Sequence, residues 1–219
     1  MNAREEVLAR IAAAHRAAPP PDLRYEDIAR EYRTTSNSSV EVLTELLIDR
    51  LVDYRALVRE CPVDDLGATI ADALAERGAR TVVVPAGLDA SWTANLYADV
   101  STDEPFSDDQ LSVSELDGVD GVITSCAAAI AETGTLILEG SPGQGRRVLT
   151  LIPDYHLCVV FADQIVPDVP QALARLTATR PLTMISGPSA TSDIELNRVE
   201  GVHGPRTLEV IIVRSERSE

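Results

Sequence analysis

Residues 64–85 read DDLGATIADALAERGARTVVVP, and this stretch decides the fold class. Its first part carries apolar residues at helical spacing, including Leu66, Ile70 and Leu74, and Gly78 is the residue type that commonly ends a helix. The run TVVVP that follows is typical of a strand buried on both faces of a parallel sheet. A helix joined to such a strand by a short connection predicts an α/β fold with a mostly parallel sheet.

The same alternation continues on both sides of this stretch. Ser38 and Glu41 have capping-box spacing and predict the start of a helix that runs to Leu51. Asp168 is predicted to be the N-cap of a later helix. An acidic segment with Pro105 predicts a surface loop over 99–110. The predicted strands are 54–60, 81–85, 119–124, 157–161, 182–186 and 207–213, with a hairpin or sharp turn between the apolar runs 127–131 and 135–138.

The N-terminal segment is predicted to be separate from the main domain. Residues 2–18 show a helical stripe, and three prolines at 19–21 end it. We therefore expect a helical arm and linker over 1–36, one α/β domain over 37–214 and a frayed tail over 215–219. The arm is interpreted either as a helix packed on the domain or as an oligomer or partner contact.

Composition excludes several functions. The formal net charge of −16 disfavours binding to nucleic acid or to anionic membrane surfaces, and no apolar run approaches the length of a membrane span. Every basic residue is arginine, which excludes a Schiff-base lysine and a P-loop lysine. Three dispersed cysteines and no signal-peptide pattern predict a cytoplasmic protein without a disulfide framework, iron–sulfur cluster or metal site.

A first candidate site is the turn Glu132-Thr133-Gly134-Thr135 between the two runs of the predicted hairpin. Glu132 is a candidate acid, base or nucleophile, and Gly134 permits close approach of a ligand. Thr133 and Thr135 are candidate hydroxyl donors. The alternative is an ordinary hairpin turn with an exposed glutamate.

A second candidate is the loop GQGRR over 143–147, in which backbone N–H groups, Arg146 and Arg147 could bind a carboxylate or phosphate. Its glycine spacing is not that of a dinucleotide fingerprint. An ordinary solvated loop explains the same residues.

A third candidate, GPSATSDIE over 187–195, directly follows a predicted strand. Its hydroxyls and carboxylates could bind a polar small molecule or cap a helix that begins near residue 192. The candidate ligand-binding residues are Gly187, Ser189, Thr191 and Asp193.

Before the last strand, the segment GVHGPR over 201–206 offers His203 as a candidate proton-transfer group and Arg206 as a candidate ligand-binding residue. A structural loop histidine is the alternative, and no histidine pair has metal-ligand spacing. Cys126 could be a reactive thiol or a small core residue.

Taken in order, AIAETGT over 129–135, LTLIPDYH over 149–156, residues 185–195 and GVHGPR resemble the LUD-domain family, densely in the second half of the chain. The resemblance implies a Rossmann-like domain of the NagB/RpiA/CoA-transferase type. It also implies a non-catalytic or co-catalytic place in a system of three proteins that oxidises L-lactate to pyruvate, in which partner subunits carry the iron–sulfur clusters and this chain carries no cofactor.

Two alternatives to an accessory subunit stay open. One is a stand-alone enzyme of the CoA-transferase or sugar-phosphate-isomerase type that uses Glu132. The other is a module that binds a metabolite without chemistry. A small carboxylate is the expected ligand in the accessory hypothesis, and a homo-oligomer is compatible with each alternative.

Overall fold

The structure is a computed structural model that describes residues 2–17, 24–33, 35–36, 38–105, 110–177, 179–191, 199–200 and 204–214. The chain divides into two compact units, Met1–Arg33 and Thr34–Glu219. The helices are α1 (Ala3–Ala17), α2 (Val40–Asp53), α3 (Leu66–Arg77), α4 (Val113–Asp117) and α5 (Val169–Arg175). Short 3-10 turns occur between them.

Twelve strands are found among the described residues of the larger unit. They are β1 (Leu57–Pro62), β2 (Thr81–Pro85), β3 (Asp99–Asp103), β4 (Gly121–Ser125), β5 (Ala128–Ile130), β6 (Thr135–Leu138), β7 (Tyr155–Phe161), β8 (Ile165–Val166), β9 (Thr183–Ile185), β10 (Ala190–Thr191), β11 (Val199–Glu200) and β12 (Thr207–Arg214).

The smaller unit contains α1, the arm helix that the sequence predicts. The Asn2 side chain accepts a hydrogen bond from the Glu5 backbone N–H at 2.9 Å, which caps its first turn. Glu6 and Arg10 form an exposed ion pair one turn apart, at 2.6 Å. The apolar stripe of this helix, Val7, Leu8 and Ile11, is exposed.

The larger unit is built on a six-stranded, fully parallel sheet of order β1-β12-β7-β4-β2-β3. This confirms the predicted α/β class. In β12, Val210 lies opposite Cys158 of β7, and alternate residues point to opposite faces. One face of β7 and β12 packs against α2 and the other against α3, so these two strands are buried on both sides.

A second, four-stranded sheet of order β8-β5-β6-β9 was not predicted. Its β5–β6 pair is the expected hairpin, and β6 also pairs antiparallel with β9 through Leu136 opposite Ile185. Apolar residues of this sheet, such as Leu136 and Leu138, join the core cluster that contains α2 and β12. A separate antiparallel pair, β10–β11, opposes Ala190 to Glu200.

Two local predictions are wrong. The N-cap of α2 is Ser39, whose Oγ accepts from the Val42 N–H at 3.4 Å, and not Ser38. The segment predicted as a surface loop over 99–110 begins with β3, an edge strand in register with β2. Its exposed side chains hide the strand signal, because only Asp103 of β3 is buried. Gly78 does end α3, at a φ of 71°.

Candidate functional site

A cleft of about 140 Å³ lies at the amino-terminal ends of β7 and β12. Its lining comes from three of the segments that the sequence singled out, those around 147–156, 186–189 and 204–205. The polar members are Arg147, Thr150, His156, Ser186 and Ser189, and the apolar members are Met184, Ile185, Pro188, Pro205 and Leu208. Convergent polar groups within an apolar wall are the usual make-up of a small-molecule site.

The Glu132 turn lies beside this cleft and is joined to it by hydroxyl groups. Thr133 Oγ1 is 2.8 Å from Thr135 Oγ1, which is 2.8 Å from Ser186 Oγ on the cleft wall. The β6–β9 pairing places these residues next to each other. The structure therefore brings together the Glu132 turn and the loop after β9, two motifs about fifty positions apart in the sequence.

Glu132 itself is exposed at the tip of the hairpin and is not among the residues that line the cleft. Its backbone carbonyl accepts from Arg50 Nε at 3.3 Å, and its N–H donates to the Pro167 carbonyl at 3.1 Å. The backbone of the turn is thus held in place on both sides. A chemical role for the Glu132 carboxylate stays a prediction.

Two glycines allow the Glu132 turn and the loop after β9 to pack closely against the end of α2. Gly134 has a φ of 60°, and a Cβ there would lie 2.7 Å from Arg50 Cβ. Gly187 has a φ of 84°, and a Cβ there would lie 2.7 Å from Tyr54 Cβ. The sequence predicts both glycines as ligand-binding residues. In the structure each lies close to the end of α2, and Gly187 also lines the cleft.

Adjacent arginines of the GQGRR segment face different surroundings. Arg146 makes a two-pronged ion pair with the fully buried Asp103 (2.8 and 2.7 Å) and also donates to the Leu111 carbonyl. Arg147 lines the cleft, donates to the Thr150 carbonyl and hydroxyl (3.3 and 3.1 Å), and has its pKa lowered by partial desolvation.

The three backbone N–H groups at 143–145 in the same loop donate hydrogen bonds to carbonyl groups of the protein. Gly143 donates to the Ala86 carbonyl at 2.8 Å, and Gln144 and Gly145 donate to the Ser141 carbonyl. A wider hollow of about 250 Å³ lies next to this loop, but Glu104 is among its lining residues. The prediction of an anion-binding loop therefore rests on Arg147.

The remaining predicted residues fall in different places. Ser189 lines the cleft, and its N–H donates to the Pro205 carbonyl at 2.8 Å. Arg206 forms an exposed ion pair with Asp154 at 3.6 Å. His203 and Asp193 lie outside the described residues, and of Thr191 only the backbone is described.

His156 is a cleft residue that the sequence analysis did not propose as a site residue. It is buried at the start of β7, and its Nε2 lies 2.8 Å from Thr124 Oγ1 on β4. In the sequence it is only the last residue of the LTLIPDYH segment, without metal-ligand spacing to another histidine. Its position next to a buried strand was the available signal, because a polar residue there needs a partner.

The cysteines are free and buried, as expected of core residues. A hydrogen bond with Cys158, together with burial, raises the pKa of the Cys126 thiol well above its usual range, which opposes nucleophilic reactivity. Over the described ranges, no group of three or more His, Cys, Asp or Glu side chains could hold a metal ion. No helix in those ranges is long and apolar enough to cross a membrane.

Comparison with known proteins identifies the family. The LUD domain model matches residues 55–213, which include every residue that lines the cleft, so the chain belongs to the LUD-domain family.

Named relatives agree with this assignment. Lactate utilization protein C of Deinococcus radiodurans is 52% identical over 169 residues, covering 75% of this chain and 76% of that protein. Lactate utilization protein C of Halalkalibacterium halodurans is 27% identical over 186 residues, covering 80% of each. The crystal structure of a DUF162 family protein from Deinococcus radiodurans superposes with a TM-score of 0.68 at 44% identity, covering 80% of this chain and 99% of that one.

Proposed function

We propose that this chain is an accessory component of a cytoplasmic system that oxidises L-lactate to pyruvate together with iron–sulfur partner proteins. The observation that carries the proposal is the 52% identity, over three quarters of both chains, to a lactate utilization protein C. The cleft supports it, because its residues lie within the matched family domain and include a guanidinium suited to a small carboxylate.

The placement of the cysteines supports the assignment of the clusters to partners. Cys61 belongs to the core on the α3 side of the parallel sheet, whereas Cys126 and Cys158 belong to the core on the α2 side. Iron–sulfur clusters are usually held by four converging thiolates. Three thiols divided between two faces of a sheet do not form such a set.

Growth on L-lactate tests the proposal. A strain that lacks this protein should fail to grow on L-lactate, grow normally on pyruvate, and recover when the wild-type chain is restored. The tagged chain should co-purify with proteins that contain iron and acid-labile sulfide. Normal growth of the deletion strain, in a host without a second lactate-oxidising system, would contradict the proposal.

A second candidate is a CoA-transferase-like enzyme, and the observation that favours it is the exposure of Glu132 beside the cleft. Such an enzyme would react in two steps. The Glu132 carboxylate attacks the thioester carbonyl of the acyl-CoA donor, which gives a mixed anhydride and CoA thiolate. The thiolate then attacks the glutamyl carbonyl, which gives the glutamyl thioester and releases the donor acid as its carboxylate. Incubation with acyl-CoA donors followed by mass spectrometry should detect this adduct in the wild type and not in Glu132→Gln. If no donor yields an adduct, this candidate fails.

A further inference from the structure

We propose that the cleft at the amino-terminal ends of β7 and β12 binds a short monocarboxylate that carries a hydroxyl or oxo group on carbon 2, with Arg147 holding the carboxylate. The proposal specifies the ligand class of the site described above. Its choice of probes, L-lactate and pyruvate, rests on the proposed function.

The charge of the lining points to an anion. The chain has 35 acidic residues against 19 basic ones, yet the described lining of the cleft includes Arg147 and no aspartate or glutamate. Within the described ranges, Arg147 makes its hydrogen bonds to the neutral oxygens of Thr150 and no ion pair with a carboxylate. A partly desolvated guanidinium gains most from a bound carboxylate, since the pair can form two parallel hydrogen bonds.

The volume of the cleft points to a small molecule. An engineered protein cavity of about 150 Å³ binds one benzene molecule, which has six heavy atoms, and the cleft has a similar volume of about 140 Å³. This space suits an acid of three or four carbons. A nucleotide or a sugar phosphate could place only one end in it.

The remaining lining suits the rest of such an acid. Ser186 and Ser189, on the loop after β9, contribute hydroxyl groups to the lining. A hydroxyl can donate and accept at once, so Ser186 can accept from Thr135 and donate to an oxygen on carbon 2. Met184 and Leu208 contribute apolar surface for a methyl group. One cation, nearby hydroxyls and an apolar wall together match a 2-hydroxy or 2-oxo monocarboxylate better than a dicarboxylate.

Methionine NMR gives a site-specific test, because the chain contains two methionines, Met1 and Met184, and Met184 lies on the cleft wall. Full-length protein labelled with ¹³C in the methionine methyl groups is titrated with L-lactate, pyruvate and lactamide. Lactamide is the neutral amide of the same acid. The Met184 methyl resonance should shift in a saturable way with the two acids and stay unchanged with lactamide.

Two arginine variants complete the experiment. Arg147→Gln removes the guanidinium from the cleft, and we expect it to raise the dissociation constant at least about tenfold. Arg214→Gln is the matched control, because Arg214 pairs with Glu60 at the opposite end of β12. Its binding should equal that of the wild type. Thermal melts of both variants establish that they are folded.

Three results would overturn the inference: no shift of Met184 with either acid, equal binding of lactamide, or equal binding by a folded Arg147→Gln. Each leaves the growth test of the proposed function unaffected. Conversely, the chain could bind the acids saturably while the deletion strain grows normally on L-lactate. That pair of results would overturn the proposed function and leave the inferred ligand class standing.

Discussion

Arg146 and Arg147 are neighbours with the same side chain, and the structure predicts opposite consequences for the same substitution. Arg146→Gln leaves the carboxylate of Asp103 buried and without its ion-pair partner. Within the described ranges, the Leu111 N–H, at 3.1 Å, is the other donor to that carboxylate. Removing one partner of a buried ion pair typically costs about 3–5 kcal/mol of unfolding free energy.

Arg147→Gln should be much milder for stability. Its hydrogen bonds go to the neutral oxygens of Thr150, so its removal leaves no buried charge behind. We expect a loss below about 1.5 kcal/mol. In a domain of this size, the Arg146 variant should therefore melt roughly 6–20 °C lower than the wild type, and the Arg147 variant only a few degrees lower.

Urea unfolding followed by circular dichroism measures both values, and Asp154→Asn, at an exposed ion pair, gives a reference below about 1 kcal/mol. Ligand binding should separate the two variants in the other direction, because Arg147 faces the cleft and Arg146 does not appear in its lining. Equal destabilisation by Arg146→Gln and Arg147→Gln would refute the reasoning.

Three further predictions concern the elements around the site. Gly134→Ala should destabilise by more than Gly78→Ala, since both have positive φ but an added Cβ meets α2 only at Gly134; urea unfolding that gives equal losses would contradict this. Ser39→Ala should lower the free energy of unfolding by about 0.5–2 kcal/mol by the same measurement, and Ser38→Ala should change it very little. A larger loss for Ser38→Ala would show that Ser38, and not Ser39, caps the helix. The backbone N–H groups of Arg80 and Thr81, at the start of β2, lower the pKa of Asp120. The free energy of unfolding that this carboxylate contributes is therefore complete above its unfolded pKa of about 3.9 and is lost as the pH falls through the folded value. Asp120→Asn should therefore differ from the wild type at neutral pH and converge with it in acid, and a constant difference would disprove the linkage.

The strongest elements of the fold follow from local sequence because their signals do not depend on partners. The apolar run Thr81–Pro85 has the composition of a strand buried in a parallel sheet, and the structure buries it. Asp168 caps α5 through its own Oδ1, which accepts from the Gln171 N–H at 3.1 Å. The β5–β6 hairpin likewise joins two adjacent apolar runs through a turn with glycine.

Elements that depend on distant partners could not be predicted in the same way. Asp99–Asp103 becomes a strand because it aligns with β2 at the sheet edge, and its own residues are mostly polar and exposed. The second sheet needs β9 to pair with β6, almost fifty residues earlier. The local pattern of apolar residues cannot predict which distant strand β9 pairs with.

The candidate site shows the same division. The sequence selected both polar loops from their hydroxyls and glycines, and the structure places them side by side through Thr135 and Ser186. The sequence could not distinguish the structural role of Arg146 from the cleft position of Arg147, because the partner of Arg146, Asp103, is about forty residues away. His156 was missed because a single histidine at a strand start has no spacing signal.

The position of the cleft follows from the second sheet. Open parallel sheets commonly hold ligands at the carboxyl ends of their strands. Here part of that edge is filled by the 140–146 loop, where Gly143 bonds to Ala86 after β2 and Arg146 to Asp103 at the end of β3. At the opposite edge, the loop that follows β9 of the second sheet places Ser186 and Ser189 beside the starts of β7 and β12. The loop after β9 thus supplies one wall of the cleft at the amino-terminal ends of β7 and β12, and a simple parallel sheet has no such wall.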